Sequence, residues 1–160
     1  MRRTVYNQDH EDFRAMIRDF VEAEVVPVYD EWFEAGIVPR DFYKKLGELG
    51  IFEIEVPTEY GGSGVDSYKF QAILTEELSR AAVSFGGSGV HVALCLPYLK
   101  ALATEEQKRR WFPGFMSGDI MFAIAMTEPG TGSDLAGMRT TAKLSEDGTH
   151  YVLNGAKTFI

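Results

Sequence analysis

The hydrophobic pattern changes its period near Gly118, and this change limits the chain to a helical part followed by a β part. Before Gly118, apolar residues recur every three or four positions, which is the spacing of one face of an α-helix. After it, short apolar or alternating runs are separated by turn residues, a pattern typical of strands. We therefore predict a mainly α domain over residues 1–117 and the first strands of a β domain over residues 118–160.

The first two helices are predicted from well-marked boundaries. Helical spacing of apolar residues extends over residues 9–29, and we expect Pro27 to kink or end this helix. A second helix has Pro39 in its first turn and stops at Gly50, with proline at the start and glycine after the end. The glycine-rich segment 51–65 that follows is predicted to be a loop.

Three further helices are predicted before the change of period. One covers residues 66–82, with its first residue, an aspartate, as the N-cap. The stretch 88–102 is apolar nearly all round, which predicts a buried helix that is bent or split at its central proline. Thr104 and Gln107 form a capping-box pattern, which predicts a last helix over residues 105–113.

Several strands are predicted after Gly118. Residues 120–126 form a continuous apolar run, which predicts a buried strand. Residues 139–144 and 150–153 predict two more strands, and the Asp-Gly pair between them predicts a turn. Asn154-Gly155 is a two-residue hairpin signal that leads into a further strand over 157–160. Because a few strands with exposed edges rarely stand alone, we expect further chain, the helices or a partner to complete this part.

Charge and composition argue against several classes of protein. The net charge is −8, and no basic cluster extends beyond Lys108-Arg109-Arg110, so we expect no nucleic-acid binding. Cys95 is the single cysteine, which excludes an intrachain disulfide. No apolar run reaches the about 18 residues of a transmembrane helix. Polar residues follow Met1-Arg2-Arg3, so we expect no secretory signal and a cytoplasmic location.

The chemically informative segment covers residues 125–137. Its two spaced glycines allow close backbone approach, and the hydroxyls of Thr127, Thr131 and Ser133 suit an anion or a polarised heterocycle. A dinucleotide fingerprint is not matched, because Leu135 replaces the third glycine and a strand follows instead of a helix. A P-loop is not matched either. From these residues alone, a ligand-binding loop and a plain surface connection both stay open.

Two strings of the β part resemble the flavin-binding signature of the acyl-CoA dehydrogenase family, MTEPGTGSDLAG and YVLNGAKTFI. Three strings of the helical part resemble the same family in order and spacing, EAEVVPVYDEW, LGELGIF…PTEYGGSG and TEEQKRRWFPGFMSG. The long-chain branch is the most similar. The resemblance implies an N-terminal helical domain, an antiparallel, barrel-like middle β domain and a C-terminal four-helix domain. This chain is expected to hold the first, the start of the second and none of the third.

The resemblance also implies a cofactor, a substrate and partners. FAD is the expected cofactor, an acyl-CoA the expected substrate and an electron-transferring flavoprotein the expected electron acceptor. The whole protein is expected to be a homotetramer. The implied reaction is α,β-desaturation of the acyl-CoA thioester, in which a carboxylate takes the α proton while the β hydride moves to the flavin. In this family the base is a glutamate of the C-terminal domain, so we expect no catalytic residue in this chain.

The family's flavin contacts carry over onto matching positions. Thr127 is expected at the edge of the isoalloxazine ring, and Ser133 is also the expected contact for the CoA substrate. Phe159 stands where the family often has tryptophan, which keeps an aromatic face but loses the indole N–H. The implied cofactor-binding residues are Ile124, Met126, Thr127, Gly132, Ser133, Phe159 and Ile160.

Other candidate residues have plainer interpretations. We interpret Glu128 as a residue that holds the loop, and His91 as a buried, hydrogen-bonded histidine instead of a metal ligand. Apolar residues of 90–102 are expected in the core, and the resemblance adds that Leu94 or Leu96 lines the acyl-tail pocket. Two alternatives to the enzyme stay open. One is a non-catalytic subunit or truncated pseudo-enzyme that needs a partner, and the other is a related flavoprotein oxidase or monooxygenase.

Overall fold

A computed structural model of the chain describes residues 4–160. Met1-Arg2-Arg3, on which the expectation about a secretory signal rests, lies outside the described residues. The chain divides into two units, Met1–Ala123 and Ile124–Ile160, hereafter the helical unit and the β unit. The predicted fold class is confirmed, because helices fill the first unit and two antiparallel strands the second. The domain boundary at residues 117/118 stays a prediction.

The helices occur in the predicted order. Within residues 4–160, none is long and apolar enough to cross a bilayer. The α-helices are α1 (Gln8–Phe20), α2 (Tyr29–Ala35), α3 (Arg40–Glu48), α4 (Lys69–Ala81), α5 (Leu96–Leu102) and α6 (Glu105–Ser117). Shorter turns join them, namely the π turns Val21–Val25 and Val90–Cys95 and the 3₁₀ turns Val26–Val28 and Thr58–Tyr60.

The first predicted helix continues past Tyr29 instead of ending there. Between α1 and α2 the winding changes to a π turn and then to a 3₁₀ turn around Pro27. Proline has no backbone N–H to donate to the preceding turn, and the loss of this hydrogen bond favours a local change of winding. Pro27 therefore kinks the helix, and Gly36, with φ of +67°, ends α2.

Two other predicted helix boundaries are wrong, and two are confirmed. Asp66 does not cap α4, which begins at Lys69 without a side-chain cap. The helix predicted to end near Pro113 continues to Ser117, because burial of apolar side chains in this turn offsets the backbone hydrogen bond that proline removes. The capping box of Thr104 is present, with Gln107 donating its N–H to the Thr104 hydroxyl at 3.2 Å. The end of the second helix is also as predicted, since Gly50 has φ of +74°.

The stretch 88–102 changes from π to α winding between Cys95 and Leu96, one residue before Pro97, and it is not buried all round. Its residues facing inward, such as Leu96, are in the core. On the other side, Val90, Leu94, Tyr98 and Leu102 form an exposed apolar row at four-residue spacing, with Leu102 75 % exposed. A helix at the surface of a unit buries one face only, which the apolar composition alone could not reveal.

A single apolar cluster forms the core of the helical unit. Its buried members come from five of the six α-helices, from the joining turns and loops and from the loop 51–65, while α2 packs the partly buried Tyr29 and Trp32 against it. The buried members of the cluster are Ile17, Val21, Val25, Phe42, Leu46, Ile51, Phe52, Val56, Leu74, Phe85, Val92, Leu96, Phe112 and Phe115.

A buried carboxylate joins α1 to α4. The Glu77 side chain is only 3 % exposed and accepts hydrogen bonds from Arg18 at 2.9 and 3.0 Å, Arg14 at 3.0 Å and Arg80 at 3.0 Å. These bonds, those of Arg18 foremost, lower the pKa of Glu77 to about 2 despite its burial. A buried carboxylate is stable only when paired in this way, so the cluster fixes the two helices against each other.

The β unit holds one hairpin. Strands β1 (Thr141–Leu144) and β2 (Tyr151–Asn154) pair antiparallel from Thr141 opposite Asn154 to Leu144 opposite Tyr151. The turn between them contains Gly148 with φ of +69°, as predicted. All eight strand residues are exposed on both faces of the hairpin.

Three β predictions are wrong. Residues 120–126 and 157–160 form no strand, because no neighbouring backbone within residues 4–160 completes a ladder with them, and Phe159 has a left-handed φ of +55°. Asn154-Gly155 does not form a hairpin turn, since Asn154 is still paired in β2 and the chain continues without a turn. Local sequence signals identify turn residues but not the strand that would pair after the turn.

Candidate functional site

A buried glutamate organises the loop that the sequence singles out. Glu128 is 7 % exposed, and its carboxylate accepts the backbone N–H of Arg139 at 2.7 Å, the N–H of Thr140 at 3.0 Å and the Lys157 ammonium at 3.0 Å. Thr140, the Arg139 N–H and Lys157 together lower the pKa of Glu128 to about 2. Glu128 thus ties the start of the loop to the residues just before β1, which agrees with its interpretation as a loop-holding residue.

The interior of the loop is closed by Thr131. Glu128 and Thr131 exchange backbone hydrogen bonds of 3.0 Å in both directions. The Thr131 hydroxyl is buried and donates to the Gly137 carbonyl at 3.1 Å. Thr131 was expected to offer its hydroxyl to a ligand, and this expectation is wrong, because the hydroxyl is used inside the loop.

Lys157 brings the end of the chain beside the loop. Its ammonium donates to the Met126 carbonyl and to Glu128, both at 3.0 Å, and contacts the Met138 sulfur at 3.5 Å. The neighbouring Thr158 N–H donates to the Thr127 carbonyl at 3.1 Å. The structure therefore places the segment that leads to residues 159–160 next to the segment 126–128.

The seven residues implied to bind the cofactor lie on two segments, 124–133 and 159–160. Of the first segment, Ile124, Met126 and Thr127 are half-buried, while Gly132 and Ser133 are exposed. Both residues of the second segment are highly exposed, Phe159 at 95 % and Ile160 at 75 %.

The hydroxyls of Thr127 and Ser133 differ from that of Thr131. In the part of the chain that the structure describes, neither forms a hydrogen bond. Two hydroxyl groups on the loop are therefore available to an outside partner, whereas the third belongs to the loop itself.

The two spaced glycines are not required by the fold of the loop. Neither Gly130 nor Gly132 has a positive φ, and a Cβ added at either would meet no atom within 4 Å. Backbone geometry therefore does not require glycine at either position. What remains is the open backbone that a glycine offers to a group approaching from outside.

A groove of about 240 Å³ adjoins Glu128, but it contains none of the seven implied residues. It is lined by the Glu128–Thr131 turn, Arg139, Thr140 and Gly155. Pockets for drug-sized ligands occupy about 300–1,000 Å³, so this groove is too small for a dinucleotide such as FAD. The loop positions Thr127 and Ser133, whose hydroxyls lack a hydrogen-bond partner in the described residues, are the better candidates for a ligand site.

His91 in the helical unit is a structural residue, as expected. The ring is fully buried and stacks on Phe115, with 3.7 Å between the ring centroids. Its Nε2–H donates to the Phe115 carbonyl at 3.2 Å, while Nδ1 accepts the Phe122 N–H at 3.1 Å. Burial lowers the pKa of His91 to about 4, so the ring is neutral near pH 7. His91 thereby fixes the backbone shortly before the β unit begins at Ile124.

The comparisons with known proteins decide the family. Residues 7–119 match the family described as "Acyl-CoA dehydrogenase, N-terminal domain", and residues 123–160 match "Acyl-CoA dehydrogenase, middle domain". The chain belongs to the acyl-CoA dehydrogenase family. The long-chain specific acyl-CoA dehydrogenase, mitochondrial, of Sus scrofa is 39 % identical to it over 158 residues. That match covers 99 % of this chain and 36 % of the pig protein.

Solved acyl-CoA dehydrogenases share the fold. The enzyme from Geobacillus kaustophilus has a TM-score of 0.87 and 42 % identity, over 98 % of this chain and 40 % of that one. The enzyme from Bacillus anthracis, solved in complex with FAD, has a TM-score of 0.79 and 36 % identity, over 98 % of this chain and 27 % of that one. The chain therefore spans less than half the length of these relatives.

Two residues of the candidate site were missed from the sequence. Lys157 and Thr158 were assigned to a strand, yet their hydrogen bonds to 126–128 organise the candidate site. The sequence did contain one signal, because the lysine is a charged residue inside a predicted strand. In the structure its side chain contacts the loop that contains the buried glutamate. Periodicity could not reveal this contact, because its partners lie about thirty positions apart in the sequence.

Proposed function

We propose that this chain is the helical domain and the beginning of the middle domain of an FAD-dependent acyl-CoA dehydrogenase that desaturates acyl-CoA thioesters between Cα and Cβ. One observation carries the proposal. The loop of the family's flavin signature is held rigidly by Glu128, while its Thr127 and Ser133 hydroxyls have no partner in the described residues. A loop whose backbone is held by internal hydrogen bonds, but two of whose hydroxyls lack hydrogen-bond partners, is suited to bind a polar ligand.

The residues present fit a flavin. Thr127 can donate to an electron-rich edge of the isoalloxazine ring, with Ile124 and Met126 as apolar neighbours. The open backbone at Gly132 and the Ser133 hydroxyl suit the ribityl-phosphate region and the CoA substrate. Phe159 offers an exposed aromatic face for the ring, with Ile160 beside it in the sequence. Bound FAD would supply the hydride acceptor of the reaction.

Glu128 is unsuited to remove the α proton of the substrate. Its pKa is about 2, and both carboxylate oxygens already accept hydrogen bonds. A general base for a weakly acidic C–H needs a raised pKa and a free oxygen. This supports the expectation that the catalytic glutamate is supplied from outside these 160 residues.

The exposed row Val90, Leu94, Tyr98 and Leu102 of the helical unit is our proposed contact for the acyl tail. A continuous apolar face at helical spacing suits an alkyl chain, since each methylene removed from water contributes about 0.8 kcal/mol. Leu94 belongs to this row, whereas Leu96 is 1 % exposed and lies in the core. Of the two leucines considered from the sequence, only Leu94 offers a surface to a substrate.

The matched leucines test the acyl-tail contact in the whole enzyme. We expect Leu94→Ala to shift the preferred acyl chain length, measured as kcat/KM over a series of saturated acyl-CoA substrates. Leu96→Ala is the control, because it should lower stability without changing the order of preference. An unchanged preference in Leu94→Ala would exclude the proposed contact.

The remaining proposals concern the whole protein. We infer electron transfer to an electron-transferring flavoprotein, a homotetrameric assembly and a cytoplasmic location. Size-exclusion chromatography with light scattering tests the assembly, and reduction of an electron-transferring flavoprotein by the substrate-reduced enzyme tests the acceptor.

Intact mass measured together with the visible spectrum tests the main proposal. We expect a longer protein that carries this chain to show flavin absorbance that acyl-CoA bleaches. A purified chain of 17.9 kDa should not catalyse bleaching, because the base is supplied elsewhere. Bleaching by the 17.9 kDa chain would overturn the proposed location of the base, and failure of the longer protein to bind FAD would overturn the flavin function.

A further inference from the structure

The Glu128–Lys157 ion pair lies between the two segments that carry the proposed flavin residues. The Lys157 Nζ and Glu128 Oε1 atoms are 3.0 Å apart, and the two side chains are 25 % and 6 % exposed. Lys157 adjoins the segment that ends in Phe159 and Ile160, and Glu128 adjoins Thr127. The pair therefore connects positions that are far apart in sequence but must act on one ligand.

Lysine matches the geometry around it. Its ammonium is a compact charge with three donors, and it meets three groups, namely the Met126 carbonyl, the Glu128 carboxylate and the Met138 sulfur. The first two belong to the loop, so one side chain fixes both the backbone at residue 126 and the carboxylate at residue 128. A neutral side chain of similar length would leave Glu128 buried without its cation.

The backbone reinforces the same connection. The Thr158 N–H donates to the Thr127 carbonyl at 3.1 Å, directly after Lys157 in the sequence. Glu128 meanwhile accepts the Arg139 and Thr140 amides, so the loop cannot shift relative to β1 without losing two of the three partners of its carboxylate. The spacing between the loop and the segment 157–160 is thus set by a few polar contacts around one buried charge.

We propose that Glu128 and Lys157 are positioning residues that hold the segments 124–133 and 158–160 at the spacing required by a bound flavin. This inference rests on the proposed flavin function. Neither residue is assigned a contact with the reacting atoms. Their role is to keep Thr127, Ser133 and Phe159 in place before the ligand arrives, so that little ordering remains to be done on binding.

The test compares three lysine variants in the protein that carries this chain. Lys157→Met removes the charge but keeps the length, and Lys157→Arg keeps the charge. Lys143→Met, on the exposed strand β1, is the matched control. FAD affinity is measured by titration of flavin fluorescence, amide hydrogen exchange is followed at Thr158 and in the β1–β2 ladder, and circular dichroism reports the melting of the helices.

We expect Lys157→Met to weaken FAD binding by about tenfold or more and to speed exchange of the Thr158 amide. The helices should melt at the same temperature as in the unchanged protein, and the amides of the β1–β2 ladder should stay protected from exchange. A general loss of structure would lower both the melting temperature and the protection. Lys157→Arg should recover most of the affinity, and Lys143→Met should bind like the unchanged protein.

Glu128→Gln is the second variant, since it keeps the shape of the side chain but removes its charge. It should weaken FAD binding in the same direction as Lys157→Met. FAD binding that both variants leave unaltered overturns the positioning role alone. Failure of the unchanged protein to bind FAD overturns the proposed function instead, so the two failures can be told apart.

Discussion

Each of the two units is stabilised internally by a different kind of contact. In the helical unit, fourteen apolar side chains form one buried cluster. In the β unit, the buried side chains are Glu128 and Thr131, both polar, and the hairpin is exposed on both faces. The helical unit is therefore specified by packing within its own sequence. The β unit is specified by a small polar network, and its apolar strand residues remain available to whatever covers them.

The largest expected effect comes from removing a core side chain of the helical unit. Phe115 is fully buried, and Phe115→Ala should lower the free energy of unfolding by about 3–5 kcal/mol, through lost burial and a cavity. Urea unfolding followed by circular dichroism measures the change. Phe33→Ala is the matched control, because Phe33 is 77 % exposed and its loss should cost less than about 0.5 kcal/mol. Equal costs for the two phenylalanines would contradict the assignment of the core.

His91 should make the helical unit sensitive to acid. The folded pKa of about 4 lies below the ordinary value of 6.5, so the unfolded state binds more protons between these values. Stability is fully present above about pH 6.5 and is lost as the pH falls towards 4, by up to about 3 kcal/mol. Urea midpoints at several pH values measure the slope. His91→Phe keeps an aromatic ring without a titrating group, so the urea midpoint of this variant should depend less on pH. An unchanged pH dependence in His91→Phe would rule His91 out as the source of the acid sensitivity.

The same substitution in the two units provides a direct contrast. Glu77→Gln should lower the free energy of unfolding by roughly 2–3 kcal/mol, less than the loss of a fully buried pair, because Arg18 and Arg80 stay half-exposed. Since the pKa of Glu77 is about 2, its contribution is present above about pH 4.5 and lost as the pH falls to 2. Glu128→Gln should leave helix melting unchanged and loosen only the loop amides of Arg139 and Thr140. Helix melting lowered equally by both variants would contradict the separation of the units.

The smallest expected effect distinguishes two hydroxyls of the loop. Ser133→Ala removes a hydroxyl with no partner in the described residues. It should weaken FAD or CoA binding by a few-fold, because one hydrogen bond contributes about 1 kcal/mol. Amide exchange in the loop should not change. Thr131→Ala removes the bond to Gly137 and should speed exchange there. A reversal of these two patterns would mean that the ligand hydroxyl is the one at Thr131.

The contrast between the units explains which features the sequence could predict. Helix positions follow from a local period, and the capping box of Thr104 and the glycine stop at Gly50 are local signals, so these were found. Whether a helix at a proline continues depends on burial around it, which is why the helix end near Pro113 was misplaced. The exposed side of residues 90–102 was missed because composition does not show which face meets the core.

Strand pairing and the candidate site depend on contacts between distant residues. The apolar run 120–126 has the composition of a strand, but a strand exists only where another backbone completes its ladder. The seven cofactor residues came from resemblance to a family signature, and their meeting on adjacent segments depends on Lys157, which no local pattern indicated. Resemblance thus located the loop, and only the structure revealed what holds it in place.

The most direct test of the flavin site is a titration of the ¹⁵N-labelled protein with FAD, followed at the backbone amides. We expect the largest shifts at Thr127, Gly132, Ser133 and Phe159, with the hairpin turn at Asp147-Gly148 unmoved. FAD that binds, as judged by its visible spectrum, without shifting any amide of the loop 126–133 would place the flavin elsewhere and contradict the proposed site.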